Sequence, residues 1–131
     1  MRLALAAPLL ALLATPAAAQ ERGIFIFDFA SDTQAERAAL ADRIVADAQD
    51  IADAAAIFCT SVGGYRGRDH RHEVMSLLVQ AGAEPQRMLD AGTCTPEITG
   101  RSNARIGADR IWLALSNVAF LESWRRERMG L

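Results

Sequence analysis

Residues 58 to 73 read FCTSVGGYRGRDHRHE and gather one of the chain's two cysteines, three arginines and both histidines. Three kinds of chemistry use such residues. The first is metal binding, for which Asp69, His70, His72 and Glu73 carry ligand atoms. On a helix only 69 with 72 or 73, or 70 with 73, share a face, and His70 and His72 point apart. Neither C-x-x-C nor H-E-x-x-H occurs. A solvated helix start accounts for these residues, so no metal and no other cofactor is expected. The second is thiol catalysis, with Cys59 as nucleophile and His70 or His72 as base. A thiol at a strand end before a helix is open to activation, but no nucleophile-elbow motif accompanies it, and no catalytic residue is assigned. The third is anion binding. Arg66, Arg68 and Arg71, with Arg101 and Arg105 further on, form either a basic rim for a ligand or a set of solvated surface arginines.

Which chemistry is open depends on compartment. Met1-Arg2, an apolar run from Leu3 to Ala14 and a small-residue pattern closing at Ala19 read as a secretory signal peptide, residues 1–19. The run is short of the roughly twenty residues that span a bilayer. The rest, 20–131, suits a single domain without a further membrane span. In an exported chain two cysteines usually pair. A Cys59–Cys94 disulfide is therefore expected, with two free buried thiols or one reactive thiol as the alternatives. All fourteen basic residues are arginine and the formal net charge is −2, which gives no general attraction to nucleic acid.

The elements that position these residues follow from periodicity. GIFIFDF, 23 to 29, is a strand, apolar on both faces and so expected at the centre of a core. Thr33 with Glu36 is a capping box. It opens a helix to about residue 54 on a stripe of Leu40, Ile44, Ala48, Ile51 and Ala55. AAIFCT, 55 to 60, is a second strand. Asp69 or a neighbour caps a second helix with Val74, Leu77, Leu78 and Ala81 buried, stopped by Gly82 and Pro85. Residues 86–92 form a weaker strand, a loop occupies 93–109, and RIWLAL, 110 to 115, is the fourth strand. From about residue 117 a tail helix carries Val118, Leu121 and Trp124, either on the sheet or toward a partner. The order β-α-β-α-β-β implies an α/β two-layer sandwich: a mixed four-stranded sheet, helices on one face, and a short C-terminal helix.

Three stretches carry a resemblance to the OmpA-like C-terminal domain, a periplasmic module that holds peptidoglycan. IFIFDFASDTQAERAALADRI, 24 to 44, resembles the family's opening strand, Phe-Asp-Phe-x-Ser turn and first helix. HRHEVMSLLVQAGAEPQRM, 70 to 88, resembles its second helix, and ARIGADRIWLAL, 104 to 115, its arginine-rich turn and last strand. The resemblance implies a non-catalytic binding module in the periplasm, associating with peptidoglycan or its stem peptide. It departs in two places. The family's second strand ends in Gly-His-Thr-Asp, whose aspartate helps bind the diaminopimelate of the stem, whereas this chain has Phe58-Cys59-Thr60-Ser61 and no acid before Asp69. The family's binding arginine maps to His70, with Arg71 beside it; Arg105 and Arg110 fit family positions, but the usual Asn-Arg becomes Ala108-Asp109. Thr60, Ser61, Asp69, His70, Arg71, Arg105 and Arg110 are the expected ligand-binding residues. An envelope protein-protein adaptor without wall binding is the alternative, and a Cys59 enzyme the third reading.

Overall fold

The computed structural model describes residues 23–100 and 106–129, so the predicted signal peptide, Arg101 and Arg105 lie outside the described residues. In chain order the elements are β1 (Ile24–Asp28), α1 (Gln34–Ala48), β2 (Ala54–Thr60), α2 (Gly64–Gln80), a short 3-10 turn at Pro85–Arg87, β3 (Met88–Thr93), α3 (Pro96–Thr99), β4 (Arg110–Asn117) and α4 (Val118–Met129). The mixed four-stranded sheet and paired helices form the OmpA C-terminal-like architecture expected from the sequence.

The capping box is present: the Glu36 amide donates to Thr33 Oγ1 (3.1 Å) and the Thr33 amide to Glu36 Oε1 (2.8 Å). The first helix stops at Ala48 rather than near 54. Its stripe continues in sequence, but Asp50 and Ile51 donate back only three residues, and Asp53 takes a left-handed φ of 53°. The second helix starts at Gly64, five residues before Asp69, because the glycines that read as a break turn the chain into the helix, Gly64 at φ 71°. Asn117 caps α4 by accepting from the Phe120 amide at 2.8 Å.

The sheet order is β1-β4-β2-β3. β2 and β3, joined through α2, are parallel neighbours. β4 runs antiparallel between β1 and β2, which moves β1 to an edge instead of the centre. The reason lies in the side chains: β4 buries Ile111 and Leu113 on one face and Trp112 on the other, while β1 buries Phe25 and Phe27 but leaves Ile26 exposed.

Alternation along the strands separates two cores. Phe25, Phe27, Phe58, Ile111 and Leu113 meet Ile44, Val74 and Leu78 of α1 and α2. On the opposite face Ile57, Trp112, Cys59 and Cys94 meet Ile106 and, from α4, Leu121. The tail helix thus covers the face that the other two helices leave bare.

Cys59 and Cys94 form a disulfide within this second core, both essentially inaccessible. A irregularity in the β2–β3 register brings them together. Phe58 lies opposite Asp90, but Thr60 lies opposite Thr93, so β3 carries one extra residue there. Gly92, at φ 73°, sits in it. Without the extra residue Cys94 would share a face with Asp90 and point away from Cys59. Replacing both cysteines with alanine should lower unfolding stability by about 3–4 kcal/mol, read as a lower denaturation midpoint than the oxidised parent.

Candidate functional site

The C-terminal ends of β1, β2 and β3, the N-terminal end of β4 and the first turns of α2 converge on one rim of the sheet. Three charged groupings occupy it.

The innermost is built on Arg71. Its side chain is 11% exposed; Nη1 donates to Thr60 Oγ1 at 2.6 Å, and Nε lies 2.6 Å from Asp90 Oδ1, off the line of a hydrogen bond, as an ion pair. The hydroxyl of Thr60, itself buried, donates to the Val62 carbonyl (2.8 Å), and the Gly92 amide donates to Asp90 Oδ1 (2.8 Å). The chain allows this approach only with Gly67 beneath it. A Cβ there would lie 2.2 Å from the Val62 carbonyl oxygen and 2.8 Å from Thr60 Oγ1.

The second is centred on His70. Its ring stacks on Phe29 with centroids 4.1 Å apart, and the Arg37 guanidinium lies over Phe29 at 4.5 Å, making a three-layer stack. Arg37 is held in turn by Glu73 (3.0 Å) and the Asp32 carbonyl (2.6 Å). At the other edge His70 Nε2 lies 3.5 Å from Asp109 Oδ1, which also contacts Arg66 Nη2.

The third is the Asp28–Arg110 pair, with Arg110 Nε donating to Asp28 Oδ2 at 3.0 Å. Asp28 Oδ1 accepts from the amides of Ala30 and Ser31. Hydrogen bonding from Ser31 and then from Arg110 holds the Asp28 carboxyl down to about 2, against an ordinary value of 3.8. Asp28, Ala30 and the 107–110 turn line an open cavity of about 290 Å³.

α2 begins without a side-chain cap and without an acid in its first turn, and its Arg66 contacts Asp109 of that lining. Its unsatisfied amides and the positive end of its dipole therefore favour a carboxylate. Arg68 lies over the exposed Tyr65 ring in that turn, 4.7 Å from its centroid.

Of the residues nominated from sequence, Thr60 and Arg71 bond each other, His70 precedes Arg71 on α2 and meets Asp109, and Arg110 joins the rim through Asp28. Ser61 donates to the Gly107 carbonyl and ties β2 to the turn before β4. Asp69 is exposed on α2 and makes no hydrogen bond or ion pair among the described residues. Arg105 lies outside them. Of the arginines of the expected basic rim, Arg66 and Arg71 face Asp109 and Asp90, Arg68 lies over the Tyr65 ring, and Arg101 and Arg105 lie outside the described residues; Arg110 faces Asp28. Sequence reasoning missed Asp90, Asp109 as a partner of His70, and the Arg37–Phe29–His70 stack. The replacement of the family's Asn-Arg by Ala108-Asp109 was the one available signal for Asp109. Among the described residues no three His, Cys, Asp or Glu side chains are grouped to hold a metal.

No family model and no curated protein matches the chain. Among solved structures, the fold is similar to the periplasmic domain of MotB from Helicobacter pylori, with a TM-score of 0.52 over 82% of this chain and 87% of that one. At 12% identity the likeness is one of fold.

Two predictions follow from this geometry. Gly67→Ala should destabilise the domain by about 1–3 kcal/mol through overpacking and separate Arg71 from Thr60, seen as a lower melting temperature and a shifted Thr60 resonance. Because the Asp28 carboxyl is depressed in the fold, its stabilisation is complete above 3.8 and is lost as pH falls through about 2. The stability gap between the parent and Asp28→Asn should accordingly be full at neutral pH and shrink across that acid range in denaturant titrations.

Proposed function

We propose that the chain is an exported, non-catalytic module of the periplasm that holds peptidoglycan through the zwitterionic end of a stem peptide. The observation that carries this reading is the group of acids and bases at the 290 Å³ cavity, with Asp28, Asp109 and Arg110 in its lining and Arg66 of α2 on Asp109. A diaminopimelate end presents an ammonium and a carboxylate together, and each needs a charged partner when desolvated. Asp109, beside His70 and Arg66, supplies the acid that the second strand lacks. Arg66 and the α2 amides receive the carboxylate. Arg71 serves from behind, holding Thr60 and Asp90 in place; Arg105 remains a proposed contact. The OmpA-like fold supports the assignment, and no described helix is long and apolar enough to cross a membrane. The disulfide accords with an oxidising compartment and leaves Cys59 unavailable as a nucleophile.

Sedimentation with purified sacculi tests the reading. The oxidised chain should co-sediment and be released by free diaminopimelate, and Asp109→Asn should weaken retention at least about tenfold, as expected for removing one partner of a desolvated charge pair. A parent chain left wholly in the supernatant would favour the envelope-adaptor reading, and undiminished retention of the variant would remove Asp109 from the site.

A further inference from the structure

At the opposite end of the sheet, α1 and α2 end above the starts of β2 and β3 and border a second open cavity of about 350 Å³. Ile44, Val45, Ile51, Leu78, Met88 and Leu115 make its walls. Its size is that of a small-molecule pocket, and its apolar walls with a few polar groups at the mouth are the usual composition of one. It shares no lining residue with the rim site.

The mouth is electronegative for three separate reasons. Both helices end at it, and neither has a basic residue in its last turn to offset the negative end of the dipole. Gln49 after α1 and Gly82 after α2 lie in its lining. Instead of the bases that usually follow a helix, α1 carries Asp47 in its last turn and Asp50 just beyond. The third reason is the lining itself, in which Asp53 and Glu84 stand against a single cation, Arg87, at 3.6 and 3.5 Å. Asp53 is held there by a left-handed backbone, φ 53°, while its carbonyl accepts from the Val118 amide at 2.9 Å. Acids at uncompensated helix C-termini oppose folding, and a bound cation would offset that opposition.

We propose that this cavity is a binding site for an amphiphilic amine: an alkyl or aryl group fills the apolar walls, and its ammonium lies at the mouth between Asp53, Glu84 and the two helix ends. A carboxylate of equal length meets repulsion from the same groups, so charge decides between ligands that the walls accept equally. The site is independent of wall binding.

Octylammonium and octanoate, titrated separately below their micelle concentrations into the oxidised protein, test this. Side-chain methyl resonances of Leu78, Met88 and Leu115 report occupancy. Octylammonium should shift these methyls saturably and bind about 3- to 10-fold tighter than octanoate, as two helix ends imply. Ala48→Phe or Ala83→Phe should fill the cavity and abolish the shifts. Asp53→Asn with Glu84→Gln leaves the walls intact and should reduce the preference for the amine at least about twofold. Absence of saturable shifts, equal binding of the two ligands, or an amine preference unchanged in the Asp53/Glu84 variant would each overturn the proposal.

Discussion

One additional residue in β3 governs both faces of the sheet at the rim. Up to Asp90, β3 alternates in step with β2; past Gly92 it is one residue out of step. Asp90 therefore faces the helices, where it meets Arg71, and Cys94 faces the other way, where it meets Cys59. A regular strand can satisfy one of these partners but not both, because its side chains alternate with a period of two. The Cys94 amide donating to the Thr60 carbonyl at 2.6 Å joins the two at the same point. An ion pair above the sheet and a covalent link below it are consequences of one backbone irregularity.

The two ends of the helical layer differ in charge by the same logic. At the rim α2 opens without a side-chain cap, while Arg66, Arg71 and Arg110 each face an acid, on the turn before β4, on β3 and on β1. At the far end neither α1 nor α2 has a base in its last turn, and Asp53 and Glu84 share Arg87. Opposed fields at the ends of parallel dipoles are intrinsic to helices; what is particular to this chain is that neither end is neutralised by local sequence. By contrast α1 begins with a complete capping box and offers no comparable opening.

Much of the fold was legible because it rests on local periodicity. The stripe through Val74, Leu77 and Leu78 marks α2, the Thr33–Glu36 box marks the start of α1, and RIWLAL marks β4. The errors fell where periodicity is silent. Ile51 and Ala55 extend the α1 stripe in sequence, yet Ile51 lines the cavity and Ala55 belongs to β2 on the opposite face. GIFIFDF reads as central because apolar residues occupy both faces, but burial of one face suffices for an edge strand whose other face holds Ile24 and Ile26. Of the site, Thr60, His70 and Arg71 were legible from their place between strand and helix. Asp90 and Asp109 were not, since their partners lie 19 and 39 residues away in sequence (90 − 71 and 109 − 70).

Taken alone, the sequence determined the four strands, the two long helices and the tail helix but not α3, which falls in the expected loop, together with the α/β order, the pairing partner of each cysteine once export is granted, and a cluster of charge between β2 and α2. These depend on neighbours within a few residues or on there being only one possible partner. Tertiary structure decided that β4 enters between β1 and β2, that α4 covers the second face, that Arg66, Arg71 and Arg110 meet acids, and that two helix ends meet over an apolar cavity. Each is settled by competition among distant surfaces for burial and for counter-charge, and that competition exists only once the chain has closed on itself.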